Sequence, residues 1–138
     1  MKKIILVSGD PNSINSEIIY KSWMNISNQI KKKIILISNY RLLSDQFKKL
    51  NFKIKLSRIK NISDFQDDKS LKILNVDLNY KDPFNVSKKS ASEYVLKSLN
   101  LAHNLALNKK TAGMINCPID KNLLRKKIGV TEYLASKC

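Results

Sequence analysis

Apolar residues alternate between two spacings along this chain. Residues 3–7, KIILV, form a short apolar run closed by Gly9-Asp10-Pro11, which predicts a buried strand ending in a turn. Ile19, Trp23, Ile26 and Ile30 then recur every three or four residues, one face of a helix from near Ser13, its N-cap, to about Gln29. KIILIS, 33–38, reads as a second buried strand, and Leu42, Leu43, Phe47 and Leu50 mark a short helix. FKIKLSRI, 52–59, alternates strictly, so it predicts a strand with one wet face, near a sheet edge.

Residues 60–70 are polar and read as a loop, followed by a strand at LKILNV, 71–76, and a second loop broken by Pro83. Ala91, Val95, Leu99, Ala102 and Ala106 make a helical stripe, widened by Leu101 and Leu105, over about Ser90–Asn108. TAGMIN, 111–116, is the next strand. PIDKNLLRKK reads as a short helix with Pro118 in its first turn, and Thr131 as the N-cap of a last helix whose dipole suits Glu132. Strands alternating with helices, most strands apolar on both faces, predict an α/β fold with a mainly parallel sheet and flanking helices. No repeat, low-complexity segment or interior linker divides residues 1–138. The chain stops inside its last predicted helix, as the front part of a longer protein would.

Composition refines this picture. With 138 residues, 43% hydrophobic and 7% aromatic, the chain can build a real core. No apolar run approaches the roughly 18 residues of a membrane span. The run after Lys2 and Lys3 is short and meets a charged turn, so it is a strand and not a leader, and a cytoplasmic protein is expected. Two cysteines, Cys117 and Cys138, make no disulfide framework. The net charge of +15 raises a polyanion partner. Yet lysine (23), isoleucine (17) and asparagine (15), all with A/T-rich codons, make up 55 residues, whereas arginine, the better phosphate and base reader, numbers three. The lysines are also scattered, with short runs at Lys31–Lys33 and Lys126-Lys127. Genome bias accounts for this charge better than a binding face, and neither nucleic acid nor membrane is expected as a partner.

Three segments could carry chemistry. VSGDPNSINSE, 7–17, is a strand, a turn and a helix start, where ligands and anions are favoured in open α/β sheets. It lacks both G-x-G-x-x-G and the Walker pattern, so by residue type an ordinary turn explains it. NCPIDK, 116–121, offers Cys117, but the sole histidine, His103, sits in the long helix one step off its stripe. No nucleophile-base pair or zinc set follows, and a small buried strand-end residue is the better reading of Cys117. Asp120 suits a helix dipole. Lys121 is a cation one turn past a strand end, against the plain reading of one solvated lysine among 23. In IGVTEYL, 128–134, Thr131 could cap its helix or hand its hydroxyl to a phosphate, with capping favoured by chemistry alone.

Together these segments resemble 4-hydroxythreonine-4-phosphate dehydrogenase, the PdxA family of vitamin B6 biosynthesis. The family's G-[DE]-P-x-G-[IV]-G-P-E is matched by Gly9, Asp10, Pro11, Ile14 and Glu17, with Ser13 and Asn15 at two glycine positions. T-[GA]-P-[VI]-x-K is matched by Pro118, Ile119 and Lys121. G-H-T-E-[FY]-[FL] is matched by Gly129, Thr131, Glu132, Tyr133 and Leu134, with Val130 where the family has a substrate-contacting histidine. The segment between Lys121 and Gly129 is a few residues shorter than the family's.

The resemblance implies the isocitrate and isopropylmalate dehydrogenase fold, incomplete here, in a chain covering less than half of a family member. It implies oxidation and decarboxylation of 4-phosphooxy-L-threonine with NAD or NADP and a divalent metal (zinc, magnesium or cobalt). Thr131, the Val130 position, Lys121 and Asp10 would line the substrate crevice. Metal ligands and most cofactor contacts would lie outside this segment, leaving the isolated piece inactive, and a homodimer is implied. Two alternatives stand beside it: a related dehydrogenase for another phosphorylated hydroxy acid, which Val130 permits, and a non-catalytic basic binding module.

Overall fold

A computed structural model describes residues 1–124 and 128–138; Arg125 and the Lys126-Lys127 run lie outside the described residues. Five strands form one sheet: β1 (Lys3–Val7), β2 (Ile34–Ser38), β3 (Leu56–Ile59), β4 (Leu71–Asn75) and β5 (Thr111–Asn116). Their order is β3-β4-β2-β1-β5 and every pairing is parallel. The helices are α1 (Asn15–Asn25), α2 (Asn28–Lys31), α3 (Tyr40–Lys49), α4 (Lys88–Ala106) and α5 (Val130–Ala135).

The apolar runs account for both layers of the core. Side chains alternate across a strand, so β2 sends Ile35 and Ile37 to one face and Leu36 to the other. The first face packs against Val95, Leu99 and Ala102 of α4, the second against Ile19 and Trp23 of α1 and Leu43 and Phe47 of α3. Ile5, Ile35, Leu36, Ile37 and Ile73 are fully buried, each stabilising the fold by about 1.5–3 kcal/mol relative to exposure. Tyr20 stacks on Phe52 at 4.0 Å, and Phe47 meets both rings edge-on, closing the outer side of α1 and α3. No helix among the described residues is long and apolar enough to cross a membrane.

Several boundaries differ from the sequence reading. The first helix stops at Asn25, not about Gln29. Ile26 and Ser27 are extended, and the Ser27 hydroxyl accepts from Ile30 N to start the separate α2, leaving Ile30 exposed. Ser13 is not its N-cap: that position is Ile14, and the Ser13 hydroxyl accepts from Asn15 N one residue early. The alternating stretch pairs only from Leu56, and β3 is an edge strand as its pattern required. Residues 60–70 contain a 3-10 turn, Ile62–Asp64, closed by a reciprocal Asn61–Asp64 cap. Pro118 starts no helix. It lies in an extended connection, and Asp120 instead caps a 3-10 turn, Lys121–Leu123, by accepting from Asn122 N. Thr131 is inside α5, whose N-cap is Gly129.

Candidate functional site

The connections leaving β1 and β5 diverge. After β1 the chain passes to α1 on one face. After β5 it passes to the 3-10 turn and α5, whose Leu123, Val130, Tyr133 and Leu134 join the core on the α4 face. Neighbouring strands whose outgoing connections part in this way leave a crevice beyond their carboxyl ends, the usual ligand position in an open α/β sheet. Its walls are the Gly9–Asn15 turn and the Cys117–Lys121 connection.

Gly9 makes the turn with a φ of 77°. A Cβ there would lie 2.8 Å from both Asn15 Nδ2 and the Pro118 carbonyl and 3.0 Å from the Cys117 carbonyl, so only glycine fits. Asn15 donates from Nδ2 to Pro118 O at 2.7 Å and ties the two walls together. Asn12 holds the same turn to the segment before α4, donating to Val86 O (2.8 Å) and accepting from Val86 N (2.7 Å). Gln46 of α3 donates to the carbonyls of Pro11 (2.9 Å) and Pro83 (2.8 Å). Beneath them the fully buried Tyr94 hydroxyl accepts from Asn39 N (3.1 Å) and pairs with Ser8 Oγ (2.9 Å) and Ser38 Oγ (3.4 Å). Burial pushes the Tyr94 hydroxyl pKa up, so it stays neutral.

The site residues expected from sequence divide into two pairs. Asp10 lies in the Gly9–Asn15 turn and Lys121 at the end of the Cys117–Lys121 connection, the two segments that Asn15 ties together. Asp10 is half-buried and engaged locally, its carboxylate accepting from Asn12 N at 2.9 Å and its carbonyl from Ser13 Oγ. Lys121 is exposed, at the start of the 3-10 turn. Val130 and Thr131 lie on α5, Val130 packed against the α4 core and Thr131 exposed. Tyr133 anchors that helix by donating to Asn100 Oδ1 of α4 at 2.9 Å. Among the described residues no hydrogen bond or ion pair joins the two pairs. Cys117 is buried beside Ile19 and Trp23, and burial pushes its thiol pKa up to about 11. A thiol protonated at neutral pH is a packing group and a poor nucleophile. No three His, Cys, Asp or Glu side chains gather as metal ligands among the described residues.

The amides of Asn12, Asn15 and Gln46 and the Tyr94 hydroxyl escaped the sequence reading. Their partners lie 35 to 103 residues away, and the only signal was Gly9 in a turn after an apolar strand.

A protein-family model described as "Pyridoxal phosphate biosynthetic protein PdxA" matches residues 29–138. The NCPIDK and GVTEYL segments fall inside that span and the Gly9–Glu17 turn precedes it. No curated protein matches the sequence. Among solved structures, the fold is similar to a putative 4-hydroxythreonine-4-phosphate dehydrogenase from Salmonella typhimurium (TM-score 0.74, 19% identity, covering 100% of this chain and 41% of that one). It is similar to the enzymes of that name from Klebsiella pneumoniae (0.73, 19%, covering 89% and 39%) and Burkholderia phymatum (0.72, 18%, covering 89% and 38%). The chain thus spans about two-fifths of the length of these relatives.

Proposed function

The chain belongs to the PdxA family of pyridoxal phosphate biosynthetic proteins, and from that premise we propose that it forms the substrate-side part of a dehydrogenase acting on 4-phosphooxy-L-threonine in vitamin B6 biosynthesis. The family match over residues 29–138 carries this reading. The reaction takes hydride from the secondary alcohol carbon to NAD or NADP, releases the alcohol proton, and frees carbon dioxide from the resulting β-keto acid. A phosphorylated amino-acid substrate, a homodimer and a cytoplasmic location belong to the same reading.

The residues of this segment do not fit the reaction's divalent metal or its dinucleotide. The metal lacks a ligand cluster among the described residues. The one glycine turn at a strand end has Asn15 and Pro118 against it, where a cofactor backbone would have to approach. Both groups are assigned to the part of the family's length that this chain does not span. What this chain offers is binding chemistry. The exposed Lys121 ammonium and Thr131 hydroxyl can meet a phosphate or carboxylate, while Asp10 shapes its turn. Val130 cannot form the hydrogen bond a histidine would make. That observation favours a second reading, a related phosphorylated hydroxy acid as substrate.

Calorimetric titration with 4-phosphooxy-L-threonine is the direct test, with Thr131→Ala and Lys121→Ala each expected to weaken binding about tenfold, the loss of one hydrogen bond to a charged group. Binding of another phosphorylated hydroxy acid in its place selects the second reading. Binding of neither, together with no reduced nicotinamide formed when metal and cofactor are supplied, rejects both.

A further inference from the structure

Two buried side-chain atoms at the start of α1 have no partner among the described residues: Oδ1 of Asn15 and Oγ of Ser16. The two residues are only 3% and 4% exposed. Both line one cavity of about 10 Å³ under the β1–α1 turn, whose other polar residues include Ser8, Ser38 and Gln46. Turning the Asn15 amide over would not help. It would set Oδ1 against the Pro118 carbonyl, two acceptors in contact, and give up the 2.7 Å bond from Nδ2. Buried polar atoms of this kind are normally satisfied by protein or by ordered water, and roughly 10–15 Å³ is the least space that admits a water molecule.

We propose that one water molecule is resident in this cavity, donating to Asn15 Oδ1 and pairing with Ser16 Oγ. The volume excludes a phosphate or carboxylate, and an amide oxygen that can only accept would repel either one. The start of α1 therefore takes a neutral molecule, although helix N-termini in general favour anions. The water completes a polar chain from the Pro118 carbonyl through Asn15 to Ser16. It fixes both ends of the Asn15 amide and so the spacing of the two crevice walls. The inference is independent of which substrate the chain binds.

The test is water-to-protein cross-relaxation NMR on the 138-residue chain, with a crystal structure at atomic resolution. A long-lived water contacting the Asn15 side-chain amide, and density within hydrogen-bonding distance of both atoms, is the expected result. Ser16→Ala keeps a good helix former in the first turn and should cut that cross-peak severalfold while leaving the amide cross-peaks of the sheet in place. An unchanged cross-peak in Ser16→Ala overturns the site. So does a structure in which the Ser16 hydroxyl donates back to the Asn12 carbonyl and no water density lies beside Asn15.

Discussion

The two ends of the sheet are held together by different chemistry. At the carboxyl ends of the strands most long-range ties are neutral, beside the Tyr80 hydroxyl donating to the Asp45 carboxylate (2.6 Å) and the Lys49–Asp82 ion pair (3.7 Å). Tyr94, Asn12, Asn15 and Gln46 join segments far apart in sequence through amides, hydroxyls and carbonyls. At the amino ends the ties are charged and mostly local. Lys69 adopts a φ of 65°, which folds Asp68 back over Ser70. The Asp68 carboxylate then accepts from Ser70 N (3.0 Å), Ser70 Oγ (2.6 Å) and the ammonium of the buried Lys72. Lys3 and Lys72 approach the same Phe65 ring, at 3.3 and 5.2 Å from its centroid. The mostly uncharged network sits where ligands bind in such sheets, and the ionic one at the opposite end. A turn tied by neutral amides and carbonyls keeps those ties as pH changes.

The largest effect should come from the crevice end. Gly9→Ala puts an L-residue at a φ of 77° and its Cβ 2.8 Å from the Pro118 carbonyl. Conformation and clash together should cost about 2–4 kcal/mol in urea unfolding. A loss below about 0.5 kcal/mol would mean that the two walls are not fixed against each other. Tyr94→Phe comes next. It strands the Asn39 N–H and two buried serine hydroxyls, at about 1–3 kcal/mol. The comparison breaks if this variant is less destabilised than Lys72→Met at the other end.

What sequence reveals follows the same division. The strands were legible because a buried parallel strand must be apolar on both faces, as KIILV and KIILIS are. The long helix was legible from Ala91, Val95, Leu99 and Ala102, all fully buried. Tyr94 was hidden in that same stripe: its ring reads as core, and its hydroxyl has partners 55 to 86 residues away. Lys72 was hidden inside an apolar strand because its compensating groups precede the strand. The break after Asn25 was missed because the Ile26 spacing continues the helix while the Ser27 cap ends it. Pro118 and Thr131 were misplaced by rules for helix starts that hold on average: here Asp120 caps a 3-10 turn instead, and Gly129 takes the N-cap position of α5 without a side-chain hydrogen bond. Asp10 and Lys121 were legible as residues just past strand ends. Their stitching by Asn12 and Asn15 was not, since a carbonyl partner leaves no mark in the sequence.

The smallest effect, and the one that separates the two ends most cleanly, is that of Lys72→Met at the ion cluster. Lys72 is buried and Asp68 is not, so the two substitutions are unequal. Lys72→Met removes a buried charge and leaves a solvated carboxylate, and should change stability by no more than about 1 kcal/mol at neutral pH. Asp68→Asn leaves the ammonium buried without its counter-charge and should lower the Tm. Acid sharpens the contrast. Lys72, and then Ser70, hold the Asp68 carboxyl well below the usual carboxylate range. An unfolded Asp titrates near pH 4, at about 3.9. As pH falls the unfolded chain therefore binds this proton first. The contribution is whole above about pH 4 and is lost below it, toward the folded pKa. Lys72→Met should flatten that part of the acid slope, with the partial exposure of Asp68 keeping the change modest. Tyr94 shifts the other way, upward through burial, so Tyr94→Phe should run parallel to the parent protein throughout the acid range. Acid unfolding followed by circular dichroism distinguishes these outcomes. Parallel acid curves for Lys72→Met and the parent would remove the charged pair as the distinguishing feature of the amino end.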